Sequence, residues 1–204
     1  MKRTLLFIFT FLTVLICEGQ KEYLRPSQGQ GEVLNEYYNN VFPLLYKNFA
    51  VKPYARYTSM PSFSREYAFS VEQRNDTNVV VSNQLSENYW YSKNRQHVKV
   101  VTSITEINKE LYKTIGELFE LLTSQIQEPE NKLVGGMDGI SYYFSTVDSS
   151  GRLKTGKTWS PNKNSLFANL VKICDNLYSI GKGNDLSQTK IQAEIKQLIA
   201  DLEK

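Results

Sequence analysis

The sequence predicts an α+β fold in which an antiparallel sheet of about six strands, built from three hairpins, packs against three to four helices. Apolar residues alternate with polar ones in segments within residues 65–102 and 137–159, which is typical of strands. Apolar residues recur every three to four positions in four other segments, which predicts helices. The strands occur in runs and do not alternate with helices, a pattern that favours an antiparallel sheet with one face covered.

The first helix is predicted from Val33, Tyr37 and Val41, which share one helical face. Pro43 is expected to end this helix, because proline cannot donate a backbone hydrogen bond and its ring crowds the preceding turn. Residues 43–64 contain three prolines and no clear period, and are predicted to be irregular.

Four strands are predicted next, as two hairpins. The segments "REYAFSVEQ" and "NVVVSN" flank "RNDT", which has turn chemistry. The segments "ENYWYS" and "QHVKVVT", separated by "KNR", predict the second hairpin. Alternation would place Tyr89 and Tyr91 on one face of the sheet and Trp90 on the other.

A third hairpin is predicted for "MDGISYYFSTVDSSGRLKTGKTWSP", residues 137–161. If "DSSG" is its four-residue turn, Ile140 faces Trp159 and Tyr143 lies opposite Gly156. An aromatic ring that covers a strand glycine is a known way to support it. A bulge at the turn would shift this register.

The remaining helices are predicted from caps and apolar stripes. Ser103 and Glu106 form a capping-box pattern before a helix that runs to about residue 126. Ser160 with Pro161, or alternatively Asn164, would start the next helix, and Gly181 and Gly183 would stop it. The last helix is predicted from about Ser187. The predicted apolar stripes are Ile104, Ile107, Leu111, Ile115, Leu118, Leu122 and Ile126; Leu166, Leu170, Ile173, Leu177 and Ile180; and Ile191, Ile195, Leu198 and Leu202.

The first 19 residues have the pattern of a secretory signal peptide. Lys2 and Arg3 precede an apolar run from Leu5 to Cys17, which is shorter than the roughly 20 residues of a membrane-spanning helix. We therefore expect residues 1–19 to be a signal peptide, 20–31 a flexible leader, and 32–204 a single α+β domain in the periplasm or outside the cell. Alternatively, Cys17 would be lipidated and anchor the protein in the envelope, although the bulky Ile16 before it fits that signal poorly.

Charge and cysteine content exclude several classes of partner. The formal net charge is +3, and no block of five or more Lys and Arg residues occurs. A nucleic-acid partner is therefore not expected, and a membrane is expected only if Cys17 is lipidated. After residue 19 the chain contains one cysteine, Cys174, so an intramolecular disulfide cannot form.

No catalytic residue, metal site or cofactor is predicted. His97 stands alone and is expected at the surface, and Cys174 is expected to be buried and inert. Gly151, Gly156, Lys157 and Thr158 match the G-x-x-x-x-G-K-T pattern of a phosphate loop. However, Pro161 would disrupt a helix that continued from Thr158, and the segment "TVDSS" upstream is polar, whereas a true phosphate loop follows a buried apolar strand and opens a helix.

Carboxylate pairs such as Glu117 and Glu120 are predicted to be solvated residues of a helix face. Their spacing does not fix the separation that glycoside hydrolysis would require.

Aromatic residues provide the remaining functional signal. The chain has 13 Tyr and 10 Phe, with "YWY" at 89–91 and "YYF" at 142–144. Tyr89, Tyr91 and Tyr143 are candidate ligand-binding residues for a protein or glycan partner. The alternative is an ordinary half-exposed sheet, since aromatic residues favour strands.

The order "DGISYYFS … GKTWSP … LFANLVKICDNLY" resembles a C-terminal pattern in small exported bacterial proteins of no assigned activity. In that pattern a strand pair ends in Trp-Ser-Pro and enters a helix; the resemblance covers about residues 135–180 and implies no activity. The expected function is an exported, non-catalytic binding or envelope-interaction protein. An envelope enzyme with unidentified catalytic carboxylates, or a lipid-anchored structural protein, are the alternatives.

Overall fold

The computed structural model describes residues 22–27, 32–128 and 138–204. These residues form seven strands and four helices. In chain order the elements are β1 (Arg25–Pro26), α1 (Glu32–Leu45), β2 (Ala55–Pro61), β3 (Tyr67–Arg74), β4 (Thr77–Leu85), β5 (Val100–Glu106), α2 (Lys109–Ser124), β6 (Ile140–Val147), β7 (Leu153–Trp159), α3 (Leu166–Gly181) and α4 (Gln188–Leu202). A short 3₁₀ turn at Arg95–His97 precedes β5.

The predicted α+β fold with an antiparallel sheet is confirmed. The seven strands form one sheet in the order β1-β7-β6-β2-β3-β4-β5, and every neighbouring pair is antiparallel. The strand count is slightly higher than the predicted six. The sheet has β2 at its centre, between β3 and β6.

The prediction of irregular structure for residues 43–64 is wrong at β2. All seven residues of this strand are buried, because the sheet is covered on both sides at this point. Arg56, Thr58 and Ser59 are polar and buried, so the strand lacks the apolar alternation from which strands are predicted.

Helices α2, α3 and α4 cover one face of the sheet and enclose the larger core. Phe69 of β3 and Phe144 of β6 both pack on Phe119 of α2, with ring centroids 6.3 and 6.0 Å apart. The apolar stripes predicted for these helices supply most of the helical core residues. One exception is Ile104, which is 53% exposed because it lies on β5 and not on a helix.

Helix α1 lies on the opposite face, so the expectation that one face is covered is wrong. Its Val41 and Leu45 form a second core cluster with Met60, Leu85 and Tyr143 of the sheet. The prediction that Pro43 ends α1 is also wrong, since the helix continues to Leu45. A proline in the last turn removes one backbone hydrogen bond, and burial of Leu45 offsets that loss.

The first predicted hairpin is present as β3–β4, and the second is not. Asn75 and Asp76 join β3 to β4 with φ of 47° and 64°, which is the backbone of a type I′ turn. The strand predicted at residues 87–92 is absent, because residues 86–99 form turns and the 3₁₀ segment. The strand predicted at residues 96–102 is present only from Val100, as the start of β5. Because β5 contains Ser103 and Glu106, these residues do not cap a helix. Instead, Asn108 caps α2 by accepting from the Leu111 amide at 2.8 Å.

The third predicted hairpin is present as β6–β7, but its register is shifted by one residue. Tyr143 pairs with Lys157, and Gly156 pairs with Phe144. Likewise Trp159 pairs with Ser141 and not with Ile140. The shift arises at the turn, where Gly151 adopts φ of 78° and its amide donates to the Asp148 carbonyl. This is a three-residue loop with a glycine bulge, not the four-residue "DSSG" turn.

Helix α3 starts later than predicted. Its cap is Ser165, whose hydroxyl accepts from the Ala168 amide at 3.2 Å, so neither Ser160 nor Asn164 begins the helix. Ser160 has φ of 37° and accepts instead from the Ile140 amide. The predicted C-terminal end of this helix is confirmed, since Gly181 is the last residue of α3. The predicted start of α4 is also confirmed, since Ser187 is its cap.

The prediction that residues 20–31 form a flexible leader is wrong for residues 22–27, the part of this segment that the structure describes. Strand β1 pairs with β7, and Leu24 is buried in the larger core. The Leu24 carbonyl also accepts from the Gln127 amide at 3.0 Å. The predicted signal peptide, Cys17 and the rest of the leader lie outside the described residues.

Within residues 22–27, 32–128 and 138–204, no helix is long and apolar enough to cross a membrane.

Candidate binding surface

Tyr143 lies in the interior, so it is not a surface residue as predicted. Its side chain is only 4% exposed, because α1 covers this face of the sheet. Its ring meets that of Phe42 edge to face at 5.2 Å, and that of Tyr38 at 6.0 Å. Tyr143 is therefore part of the second core cluster.

Tyr89 and Tyr91 lie in a folded segment after β4 and not on a strand. Asn88 fixes this segment, since its side-chain amide donates to the Ser64 carbonyl at 2.6 Å and its Oδ1 accepts from the Tyr91 amide at 3.1 Å. The Arg95 guanidinium donates to the carbonyl of Tyr89 at 3.3 Å and to that of the next residue at 3.2 Å. The predicted alternation of faces at residues 89–91 therefore does not apply.

The ring of Tyr89 points inward and that of Tyr91 points outward. Tyr89 is half-buried, with its ring centroid 6.1 Å from that of Tyr37 on α1. Tyr91 is 58% exposed and lies nearly parallel to the ring of Phe63, at 16° and 6.2 Å. Of the three predicted residues, Tyr91 is thus the one with a mainly exposed ring.

Exposed aromatic side chains gather at one end of the sheet, and we call this group the aromatic surface. Its members are Phe63, Trp90, Tyr91 and Trp159. Phe63 is 69% exposed, although it is fully apolar. Trp90 packs edge to face on Tyr37 at 5.3 Å, which leaves part of its indole in solvent. The sequence signal for Phe63 is a lone aromatic residue in the polar turn "PSFSRE", and the prediction missed it.

Trp159 joins the aromatic surface through Gly139. The indole of Trp159 lies so close to Gly139 that a Cβ at that position would be 2.6 Å from the ring. Any side chain at residue 139 would therefore displace the indole. This packing sets the end of β7 against the start of β6.

A shallow groove of about 220 Å³ runs beside Phe63. Hydrogen bonds fix the backbone that lines this groove, because the amide and hydroxyl of Ser62 both donate to the Gly139 carbonyl, at 3.0 and 2.8 Å. The groove is lined by Pro61, Ser62, Phe63, Ser64, Gly139 and Ile140. The aromatic surface therefore borders a small depression with a fixed floor.

Glu66 supports the aromatic surface through buried hydrogen bonds. Its carboxylate has no exposed surface and accepts from the Tyr37 hydroxyl at 2.6 Å and from the Tyr89 amide at 3.1 Å. Burial raises the pKa of Glu66, because the charged form loses its hydration. The contacts tie α1, the start of β3 and the segment after β4 together.

Asp175 is a second carboxyl group with a raised pKa, and it lies on the other face of the sheet. Its Oδ1 accepts from the hydroxyls of Tyr67 and Tyr57, at 2.7 and 3.0 Å, and burial raises its pKa. Glu66 and Tyr67 are consecutive in extended chain, so their side chains point to opposite faces. Glu66 and Asp175 do not converge on one cleft and cannot act as an acid–base pair.

The other residues considered from sequence have structural surroundings. Cys174 is fully buried, as predicted, and burial raises the pKa of its thiol well above the usual value, so the reactive thiolate is disfavoured. His97 is exposed, as predicted, but on the 3₁₀ turn. Gly156, Lys157 and Thr158 lie within β7, where their backbone belongs to the sheet and starts no helix. In the described part of the chain, no three His, Cys, Asp or Glu side chains are grouped to hold a metal ion.

Comparisons of this chain with protein-family models, curated proteins and solved structures find no match. Function is therefore inferred from the aromatic surface and from the sequence.

Proposed function

We propose that the protein is an exported, non-catalytic binding protein that holds a protein partner on its aromatic surface. The observation that carries this proposal is the exposed pair Phe63 and Tyr91, whose rings stack beside a groove with a fixed backbone. Exposure of apolar rings to water is unfavourable, and burial against a partner recovers that free energy. Aromatic side chains are enriched where proteins bind each other.

The size of the groove favours a partner that inserts a side chain. Small-molecule sites usually enclose about 300 to 1,000 Å³, whereas this groove has about 220 Å³. It can receive one apolar side chain of a partner, with Phe63 on its edge. Buried anchors of this kind supply most of the affinity in protein interfaces.

The surroundings of the groove also suit a protein interface. Its rim is polar, since Ser64 is exposed, and Arg95 and Asn88 lie on the neighbouring segment. An apolar centre within a polar rim is the usual arrangement of protein interfaces. The rim would supply hydrogen bonds, and the rings would supply the buried area.

Export is supported by the sequence pattern of residues 1–19. The basic start, short apolar run and small polar residues are those of a secretory signal. Intact mass of the protein from its native cells tests this part separately. A chain that begins near Gln20 supports a free exported protein, whereas a lipid-modified Cys17 supports the anchored alternative.

Site-specific photo-crosslinking tests the binding proposal. A benzoylphenylalanine is placed at Phe63 or Tyr91, and at Leu153 as a control, since Leu153 is an exposed apolar residue outside the aromatic surface. In an extract of the native cells, a discrete protein adduct is expected from positions 63 and 91 and not from 153. Equal adducts at all three positions, or none, would contradict the proposal. Binding to a glycan array that is lost in Phe63→Ala, without a protein adduct, would assign the surface to glycans instead.

A further inference from the structure

A second and larger groove lies between α2, the β6–β7 turn and residues 52–54. Its volume of about 840 Å³ is within the usual range for sites that bind small molecules. None of its lining residues belongs to the aromatic surface, so it is a separate feature of the molecule.

Tyr54 forms part of the groove lining, in a position that requires Gly116. The ring of Tyr54 stacks on Tyr112 at 4.2 Å with 5° between the planes. A Cβ at residue 116 would lie 2.0 Å from the Tyr54 hydroxyl, so only glycine allows the ring to lie against α2. Burial raises the pKa of Tyr54, and Tyr112, Glu117 and Glu120 raise it further. The neutral hydroxyl is thus held beside two carboxylates.

The α2 wall of the groove carries Glu117 and Glu120, one helical turn apart and both exposed. Neither carboxylate has an ion pair or a hydrogen bond with another side chain of the described residues. Lys113 lies one turn earlier on the same wall, and its ammonium group also forms no ion pair with the described residues. The two carboxylates therefore remain available to a ligand.

The opposite wall is basic and lies at the β6–β7 turn. Arg152 and Lys154 line it, together with Lys52, whose Nζ is 3.7 Å from the position of a Cβ on Gly151. Asp148 is already engaged, since its carboxylate accepts from the Ser150 hydroxyl at 2.6 Å and lies 3.5 and 3.8 Å from Arg152 and Lys154. This wall carries three cations and one carboxylate, which leaves an excess of positive charge.

We propose that this groove binds a short peptide with free termini. The peptide ammonium would lie against Glu117 and Glu120, and its carboxylate against Lys52 and Arg152. The charges of the two walls do not pair with each other across the groove, so a ligand with both charges can satisfy both walls. A purely anionic ligand would meet the carboxylates of α2, and a purely cationic one would meet the basic wall.

The test is an NMR titration of the ¹⁵N-labelled full chain with trialanine. The comparison ligands are N-acetylated trialanine, C-amidated trialanine and free alanine. Saturable shifts at groove amides are expected with trialanine, and both blocked peptides are expected to bind at least about fivefold more weakly, since each loses one set of charge contacts. Stronger binding of alanine than of trialanine would assign the groove to free amino acids and overturn the peptide proposal.

Charge variants complete the test. The double variant Glu117→Gln with Glu120→Gln, and separately Lys52→Gln, are each expected to weaken trialanine binding about fivefold. Glu110→Gln on the same helix is the matched control and should bind like the unmodified protein. All of these side chains are exposed, so the variants should fold. No saturable shift at millimolar trialanine, or equal binding by all variants, would overturn the proposal. Either result would leave the photo-crosslinking result at the aromatic surface unaffected.

Discussion

The ring of Phe63 lies nearly parallel to that of Tyr91, with centroids 6.2 Å apart. The two residues come from different parts of the chain, the turn after β2 and the segment after β4. Both rings remain largely exposed, so their contact leaves apolar area in water. This arrangement is the basis of the proposed binding surface.

Substitution of the exposed rings should change stability little. We expect Phe63→Ala and Tyr91→Ala each to lower the free energy of unfolding by less than about 1 kcal/mol, because each substitution removes only one stacking contact at the surface. By contrast, Tyr143→Ala should cost about 3 to 5 kcal/mol, because it empties space in the second core cluster. Urea denaturation followed by circular dichroism measures all three. If Phe63→Ala and Tyr143→Ala lowered the free energy of unfolding by similar amounts, the ring of Phe63 could not be exposed while that of Tyr143 is buried.

The pH dependence of stability should reflect the raised pKa of Asp175. A raised pKa means that the folded protein binds a proton more tightly than the unfolded chain does. The free energy of unfolding should therefore fall as pH rises from about 3.9, the unfolded pKa of Asp, through the raised folded pKa.

Asp175→Asn isolates this effect. The amide oxygen can still accept from the hydroxyls of Tyr67 and Tyr57, but the group no longer ionises. The raised pKa of Glu66 also lowers the free energy of unfolding as pH rises, and it does so equally in the unmodified protein and in Asp175→Asn. Urea midpoints between about pH 4 and 7 should therefore fall less in the variant than in the unmodified protein. Identical slopes would show that Asp175 does not gain a proton on folding.

Attachment of β1 to the sheet should contribute to stability. Leu24→Ala should cost about 2 to 5 kcal/mol, because Leu24 is fully buried. Gly156→Ala should detach the same segment, since the added Cβ would lie 2.7 Å from the Leu24 Cβ.

Hydrogen exchange measures this detachment. The Ser27 amide, which donates to the Thr155 carbonyl, should exchange faster in both variants. The exposed substitution Ser27→Ala is the control and should leave stability nearly unchanged. Unchanged exchange in Gly156→Ala would mean that β1 is not held on β7.

The turn between β6 and β7 should require a residue that tolerates positive φ. Gly151→Ala should cost about 1 to 2 kcal/mol, because φ of 78° is unfavourable for a residue with a Cβ. Gly151→Asn should cost less, since asparagine adopts this region more readily. Thermal unfolding distinguishes the two. An alanine variant as stable as the asparagine variant would argue against the bulge and for the unshifted register.

Helices α2, α3 and α4 could be predicted because each has one buried face, which imposes the 3.6-residue period. Strand β2 could not be predicted in this way. It lies at the centre of the sheet with both faces covered, and buried Arg56 and Thr58 interrupt its apolar pattern. Arg56 is accommodated because its guanidinium lies over the Tyr46 ring at 4.3 Å and donates to the Ala50 carbonyl.

The candidate site was predicted only in part, for a related reason. Tyr91 was identified from its aromatic neighbours, but exposure of a ring depends on what covers it. Tyr143 is buried because α1 crosses its face of the sheet, and a local pattern does not show that contact. Phe63 reaches Tyr91 through the fold, held by the Asn88 contact with Ser64, which is likewise invisible in the sequence.

The measurement that tests the central proposal most directly is the dissociation constant of the crosslinked partner, determined by calorimetry. We compare the unmodified protein with Phe63→Ala combined with Tyr91→Ala, and with Leu153→Ala as the control. The double variant should bind about thirtyfold or more weakly, as expected for central aromatic residues of an interface, while the control binds normally. Equal affinity of the double variant and the unmodified protein would show that the partner binds elsewhere.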